Sequence, residues 1–107
     1  MANSKIVNTP SQAIAQDGAA HTQRTISNTA VSVVNWTFNA NTTHLLVQFN
    51  GGGCRVTFDG TSPTTTKGFL YNDGSSAYWT KQMATKAKAI RTGSTDVIAE
   101  LQELNFI

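Results

Sequence analysis

Apolar and polar side chains alternate along three segments of the chain, residues 45–49, 54–58 and 97–102. A two-residue period is typical of strands that bury one face, because successive side chains point to opposite sides of a sheet. One side of each segment is apolar, whereas the other carries residues such as Arg55 and Glu100. The positions predicted to face a core are Leu45, Val47, Phe49, Cys54, Val56, Phe58, Val97, Ala99 and Leu101.

Turn-forming residues separate these strands and indicate several more. NGGG at 50–53 is a hairpin signal, whose extra glycines favour a widened turn, a bulge or the close approach of another backbone. Asp59 and Gly60 end the second strand, because Asp bonds its own backbone and Gly tolerates positive φ. Short segments on either side of NDGSS, residues 69–71 and 77–80, predict two strands paired with each other.

Two stretches are less clearly specified. Residues 24–34 mix Val and Ile with Ser and Thr, which suits one or two strands, and Trp36 and Phe38 then fall on one side of a continuing strand or extended link. In residues 81–91, QMATKAKAI suits a short helix by propensity but also alternates as a strand does. We favour a strand beginning near Lys86.

Residues 1–22 differ from the rest because they contain few large apolar side chains. Such a segment does not offset its own ordering entropy, so it is predicted to be an N-terminal extended arm, either flexible or lying along a neighbour. A short amphipathic helix over 11–16 is the alternative. Residues 23–107 are predicted to form a single β domain. The sizeable apolar residues of the arm are Ile6, Val7 and Ile14.

About seven or eight short strands separated by turn signals, with no helical-length periodicity between them, predict an all-β fold. Its architecture is expected to be a small β-sandwich, a jelly roll or a barrel. The strand order is left open by the sequence.

Charged residues make up only 13% of the 107 residues, against about 25% in typical globular chains. The run from Thr25 to Cys54 has none at all. Uncharged, β-prone segments tend to pair with other chains, and burial in an assembly prevents this. The run therefore favours an oligomer; the alternative is an ordinary monomer in which Asn and Thr side chains keep the run solvated.

The net charge of +2 is too small an excess to steer the protein onto a nucleic acid. Four basic residues are close in sequence: Lys81, Lys86, Lys88 and Arg91. No aromatic residue is interleaved between Lys86 and Arg91, and such a cluster is more typical of a solvated face than of a phosphate-binding groove. Cys54 is the only cysteine, which excludes an intramolecular disulfide and a multi-cysteine zinc site. No signal-peptide core or membrane span is recognisable, so we expect no membrane partner and folding in the cytoplasm.

Candidate chemistry is sparse. His21 and His44 have no carboxylate or thiol nearby in sequence, and no serine occupies a GxSxG turn. The carboxylates fall in turns or on the outward side of the last strand, where capping and solubility explain them. We therefore expect no enzyme activity, no metal and no cofactor. The acidic residues considered were Asp17, Asp59, Asp73, Asp96, Glu100 and Glu103.

One predicted hairpin is also compatible with a carbohydrate-binding site. Tyr71, Asn72, Asp73, Tyr78 and Trp79 place aromatic rings and polar forks on one predicted hairpin. Sugars stack on aromatic rings and hydrogen-bond to Asn and Asp. The alternative is that these rings belong to the core, where burying one large aromatic side chain contributes about 1.5 to 3 kcal/mol.

RVTFDGTSPTTTKG at 55–68 resembles a recurring pattern in small β-rich virion proteins of tailed bacteriophages. In that pattern a strand ends in FDG and is followed by Thr, Pro, Thr and a Gly before the next strand. IRTGSTDVIAELQ at 90–102 resembles the closing hairpin of the same proteins. The resemblance covers roughly the C-terminal half of the chain.

The resemblance implies a structural virion protein, most specifically a capsid decoration or cement protein that stabilises the head shell as a homotrimer. A head–tail or tail accessory protein is also compatible, and a carbohydrate- or receptor-binding module is the alternative class. The implied partners are further copies of the chain and the major capsid protein or another virion protein, in the virion. The residues expected to make contacts are Ile6, Val7, Ile14, Trp36, Phe38, Asp59, Thr61, Thr64 and Phe106.

Overall fold

A computed structural model describes residues 13–16 and 20–106. This part of the chain forms nine strands and one short helix. They are β1 (Ala13–Ala15), β2 (His21–Ile26), β3 (Val31–Ser32), β4 (His44–Asn50), β5 (Cys54–Thr57), β6 (Phe69–Tyr71), β7 (Ser76–Thr80), α1 (Lys81–Lys86), β8 (Lys88–Arg91) and β9 (Val97–Phe106).

The strands form two antiparallel sheets. In the front sheet the order is β2-β9-β4-β7, and β1 continues along the same edge of β9 as β2. In the back sheet the order is β3-β8-β5-β6. Most successive strands lie in different sheets, and the eight strands β2 to β9, four in each sheet, have the order of a jelly roll. The predicted all-β fold is confirmed, and the topology selects one of the three expected architectures.

The core lies between the inward faces of the two sheets. The alternation predicted it correctly: eight of the nine expected side chains are fully buried, and Phe58 is partly buried against them. Trp79 of β7 joins them, with its ring centroid 5.1 Å from that of Phe58 and 6.0 Å from that of Phe49. Large aromatic side chains therefore close the core at the β7 side of the sandwich.

The uncharged run from Thr25 to Cys54 is accommodated within one chain. Its longest strand, β4, lies between β9 and β7, so both of its edges are paired. Its inward residues Leu45, Val47 and Phe49 are 0% exposed. A central strand has no free edge to protect, and this position explains the absence of charge in β4 without a second chain.

Three connections expected to be hairpins instead cross between the sheets. Segments 69–71 and 77–80 do not pair with each other, because β6 pairs with β5 and β7 with β4. The NDGSS connector is held to β4 by the Gly74 N–H, which donates to the Phe49 carbonyl at 2.7 Å. The NGGG turn and the β8–β9 connection likewise join different sheets. Local turn signals locate a chain reversal without specifying which strand the next segment will meet.

Residues 81–91 contain both elements that their sequence suggests. Thr80 caps α1, since its hydroxyl accepts a hydrogen bond from the Met83 N–H at 3.2 Å. The helix ends at Lys86, and β8 begins at Lys88, two residues after the expected start of a strand. Trp36 and Phe38 lie in an extended link rather than a strand.

The N-terminal segment is ordered along the same chain where it is described. Ala13–Ala15 form a strand paired with the end of β9, from Leu104 to Phe106, where a helix was the alternative expectation. The strand β2 begins at His21, two residues before the expected start of the β domain. Residues 1–12, with Ile6 and Val7, lie outside the described residues.

Replacing Trp79 by Ala should remove about 4 kcal/mol of the free energy of unfolding, because it empties a large volume in the core. Urea denaturation of the variant and wild type measures this. Tyr78→Ala is the matched control, since Tyr78 is the next residue in the same strand but is 60% exposed. It should cost about 1 kcal/mol, the value of its edge contact with Phe106. Equal losses would contradict this assignment of the two faces of β7.

Candidate functional site

The first half of the loop between β5 and β6 is fixed by its own side chains. The Asp59 carboxylate accepts hydrogen bonds from the backbone N–H and the hydroxyl of Thr61, at 3.1 and 2.6 Å. These bonds hold the pKa of Asp59 below its ordinary value. The Thr57 hydroxyl donates to the Thr61 carbonyl at 2.5 Å. The turn that follows β5 is therefore a defined shape.

The second half of this loop is equally constrained. The Thr64 hydroxyl accepts from the backbone N–H groups of Thr66 and Lys67, at 3.2 and 2.9 Å. Arg55 reaches across from β5 and donates to the carbonyl of Gly68 at 2.8 Å. Gly68 itself has φ of 125°, and a Cβ there would lie 3.1 Å from the carbonyl oxygen of Val56, so only glycine fits.

Two large apolar side chains are exposed where this loop enters β6. Phe69 is 68% and Leu70 51% exposed. Phe69 packs against Phe58 at a centroid distance of 5.9 Å, beside a cleft of about 500 Å³. Among the described strands β6 pairs only with β5, so its other edge is open. We call this region the β6 surface; it comprises Phe58, Asp59, Thr61, Lys67 and Phe69 around the cleft, together with Leu70, which points to the opposite face of β6 beside the open edge.

Within the described part of the chain, the residues expected to make contacts lie in three places. Asp59, Thr61 and Thr64 lie together in the β5–β6 loop. Ile14, 44% exposed, lies in β1, which pairs with the end of β9 that carries Phe106. Trp36 and Phe38 make an edge-to-face pair, 5.8 Å between centroids, in the β3–β4 connection, and the other two expected residues are outside the described part of the chain.

Trp36 binds a buried carboxylate, that of Glu103, which lies at an inward position of β9 rather than in a turn or on the outward side of the strand. Glu103 is only 2% exposed. It accepts hydrogen bonds from the Trp36 indole N–H at 3.0 Å, the Asn39 backbone N–H at 2.7 Å and the Thr42 hydroxyl at 2.6 Å. All three donors are uncharged and belong to the β3–β4 connection. The carboxylate therefore fixes that connection to β9.

A polar cluster occupies the outer face of the front sheet, which looks away from the core. Glu100 accepts from the His21 ring at 2.8 Å and from the Gln23 amide at 2.6 Å. The other ring nitrogen of His21 lies 3.2 Å from the side-chain oxygen of Gln102. The bond to Glu100 raises the pKa of His21, and the same bond lowers the pKa of Glu100.

Aromatic rings adjoin this cluster on the same face. His44 stacks on Phe106 at a centroid distance of 4.0 Å, and Phe106 meets the edge of the exposed Tyr78 ring at 5.8 Å. Next to these rings, the polar cluster surrounds a cleft of about 280 Å³. It is lined by His21, Leu46, Gln48, Ser76, Glu100 and Gln102.

The five hairpin residues considered as a sugar site do not share a surface. Trp79 is 1% exposed, and its indole N–H donates to the Tyr71 hydroxyl at 3.3 Å inside the sandwich. Tyr78 points to the opposite side, where it joins the outer face of the front sheet. Sequence reasoning missed this face because its members come from β2, β4, β7 and β9, whose neighbours are set by topology. The available signal was the outward position of Gln48, Glu100 and Gln102 in their strands.

Other reactive groups offer little chemistry. Burial raises the pKa of the Cys54 thiol to about 12, which suppresses the nucleophilic thiolate. Within residues 13–16 and 20–106, no three His, Cys, Asp or Glu side chains lie close enough to hold a metal ion. No helix in that part of the chain is long and apolar enough to cross a membrane.

Comparison with protein-family models, curated proteins and solved structures finds no match to this chain. The functional assignment therefore depends on the two exposed surfaces of the sandwich, the β6 surface and the outer face of the front sheet.

Replacing Glu103 by Gln should destabilise the protein by about 2 kcal/mol, because an amide nitrogen in place of one oxygen loses an acceptor inside a buried network. Chemical denaturation measures the loss, and Trp36 fluorescence reports the environment of one donor. Glu100→Gln, on the outer face, is the control and should change stability much less. A neutral result for Glu103→Gln would show that the network contributes no net stability.

The His21–Glu100 pair should stabilise the fold over a limited pH range. The raised pKa of His21 gives a contribution that is complete below its ordinary value of 6.5 and is lost as pH rises through the raised pKa. The lowered pKa of Glu100 gives one that is present above 4.5 and is lost as pH falls. The difference in melting temperature between wild type and His21→Gln should therefore peak between these values. A difference independent of pH would contradict the assignment.

Proposed function

We propose that this protein is a structural component of a tailed-phage particle, of the capsid decoration or cement type. It binds the head shell as a homo-oligomer, through the β6 surface, and carries out no catalysis. The observation that carries the proposal is the exposure of Phe69 and Leu70 on an open strand edge. The sequence of the adjoining loop, 55–68, is the segment that resembles virion proteins.

The open edge of β6 favours contact with another protein. Soluble monomers usually protect a strand edge with Lys, Pro or a bulge, whereas FLY at 69–71 has neither a charge nor a proline. Exposed apolar groups beside such an edge are typical of interaction surfaces. A partner that covers Phe69 and Leu70 removes their apolar area from water, and each Å² contributes about 25 cal/mol.

The rigidity of the adjoining loop supports the same function. Hydrogen bonds made by Asp59, Thr64 and Arg55 fix it before any partner arrives. A preformed surface loses less conformational entropy on binding than a flexible one, so more of its contact energy appears as affinity. Specific interfaces bury about 1,200 to 2,000 Å² in total, and a symmetric oligomer presents several copies of the β6 surface at once.

The partner in this proposal is the major capsid protein or another virion protein, and the location is the virion. The oligomer is a trimer. Because β4, the longest strand of the uncharged run, is paired on both edges within one chain, the support for the trimer is the β6 surface together with the resemblance to virion proteins.

The test is to locate the protein on purified particles of the phage that encodes it, by electron microscopy. Recombinant protein is then added to particles that lack it, and bound copies are counted. Phe69→Ser with Leu70→Ser should weaken particle binding at least about tenfold, a loss of about 1.4 kcal/mol. Both residues are exposed, so the fold should be retained.

Tyr78→Ser is the matched control, because Tyr78 is as exposed as Phe69 but lies on the other sheet. It should bind particles as the wild type does. Absence of the protein from the particle would refute the virion function, and equal binding by the double variant would refute the role of the β6 surface. Light scattering tests the oligomeric state separately, since a stable monomer that still binds particles would refute the proposed trimer.

A further inference from the structure

We propose that the outer face of the front sheet binds a neutral carbohydrate, with Tyr78 as the stacking platform and the amide and carboxylate groups around Gln48 and Glu100 as the hydroxyl-binding partners. The inference is independent of particle attachment, because it uses the opposite sheet. Binding of a sugar requires a concave site, a fixed aromatic ring and polar groups that converge on one ligand.

Strand register brings the necessary side chains together. Leu46 of β4 lies opposite Tyr78 on one side and Gln102 on the other. One step along the strand, Gln48 lies opposite Ser76 and Glu100. Directly paired residues share a face of the sheet, so the apolar floor at Leu46 is flanked by an aromatic ring and by polar groups. Leu46 and the polar groups line the cleft of about 280 Å³, and Tyr78, paired with Leu46, adjoins it.

The Tyr78 ring beside the cleft is exposed to solvent and is held in place by neighbouring rings. Tyr78 leaves 60% of its surface in solvent, yet its ring is supported at the edge by Phe106, which is itself stacked on His44. Sugars present one face of C–H groups, and that face packs on an aromatic ring while the hydroxyl groups point outward. A ring held in place by neighbours loses little entropy when the sugar stacks on it.

The polar wall is preorganised in the same way. Each oxygen of Glu100 already accepts one hydrogen bond, from His21 and from Gln23, which fixes the carboxylate plane. Carboxylate oxygens accept from sugar hydroxyls with lone pairs that remain free, and the Gln48 amide both donates and accepts. Two adjacent hydroxyl groups on a sugar ring match such closely spaced groups. Ligand sites of this kind combine an apolar surface with a few fixed polar groups.

Charge restricts the ligand to neutral sugars. The charged groups that line the cleft are Glu100 and its hydrogen-bonded partner His21. An acidic sugar would bring a second carboxylate against Glu100, whose only cationic neighbour in the cleft is already bonded to it. A neutral hexose or N-acetylhexosamine avoids this repulsion.

Size sets the extent of the ligand and its affinity. Pockets for small molecules span about 300 to 1,000 Å³, so this cleft holds one sugar residue of a longer glycan. A single shallow contact of this kind gives a Kd of about 1 mM. Several copies on one assembly would bind a glycan-coated surface far more tightly by avidity.

The experiment is a titration of ¹⁵N-labelled protein with glucose, galactose, mannose, N-acetylglucosamine and, as the acidic probe, N-acetylneuraminic acid, followed by amide chemical shifts. At least one neutral sugar should shift signals of Leu46, Gln48 and Tyr78. Tyr78→Ala and Gln48→Ala should each weaken that binding at least about fivefold. Phe69→Ala, an exposed aromatic on the β6 surface, should bind like the wild type. The spectrum of each variant reports whether it is folded.

Three results would overturn the proposal: no shift with any neutral sugar at about 50 mM, shifts confined to residues outside the outer face, or undiminished binding by folded Tyr78→Ala. Binding of the acidic sugar in preference to all neutral ones would overturn the assignment of ligand class. Tyr78→Ala should leave particle occupancy unchanged, so failure of this site and failure of the β6 surface give different results.

Discussion

The front sheet depends on one ten-residue strand, β9, whose two edges are both occupied. On one side it pairs with β2 and β1, and on the other with β4. Its inward side contributes Val97, Ala99 and Leu101 to the core and continues to Glu103, which fixes the β3–β4 connection. Its outward side supplies Glu100 and Gln102 to the cleft. Core, connection and outer face therefore all take their positions from the register of this strand.

Period-two alternation identified the inward faces of β4, β5 and β9 correctly, because burial of one side of a strand leaves a direct pattern in the sequence. Pairing between strands is not recorded in this way. The turn at NDGSS has the same local chemistry whether the next strand returns beside β6 or crosses to β4, and the structure crosses. Glu103 follows the inward alternation of β9, but a charge at that position is stable only because distant N–H and hydroxyl groups reach it, and those donors lie more than sixty residues away.

The candidate sites also divide into features that local sequence predicts and features that depend on strand pairing. The Asp59–Thr64 loop was recognisable in advance, since turn residues bond to their own neighbours and need no tertiary information. The exposure of Phe69 was not, because it depends on β6 being the last strand of the back sheet. The outer face of the front sheet combines residues from four separate strands, so only the topology reveals it. Because the fold has two layers, the β6 surface and the outer face of the front sheet lie on different sheets. A substitution on one surface therefore leaves the other surface intact.

The pairing of β9 also affects how the chain is made. β9 is the last described strand to leave the ribosome, yet it supplies the partners of β1 and β2 and one whole edge of β4. The front sheet is therefore incomplete until β9 has been synthesised, and its contacts join residues far apart in sequence, which is typical of slowly folding topologies. Until then the uncharged residues of β4 have one edge unpaired. An unpaired strand edge of this kind is prone to aggregation, so β9 protects β4 as well as pairing with it.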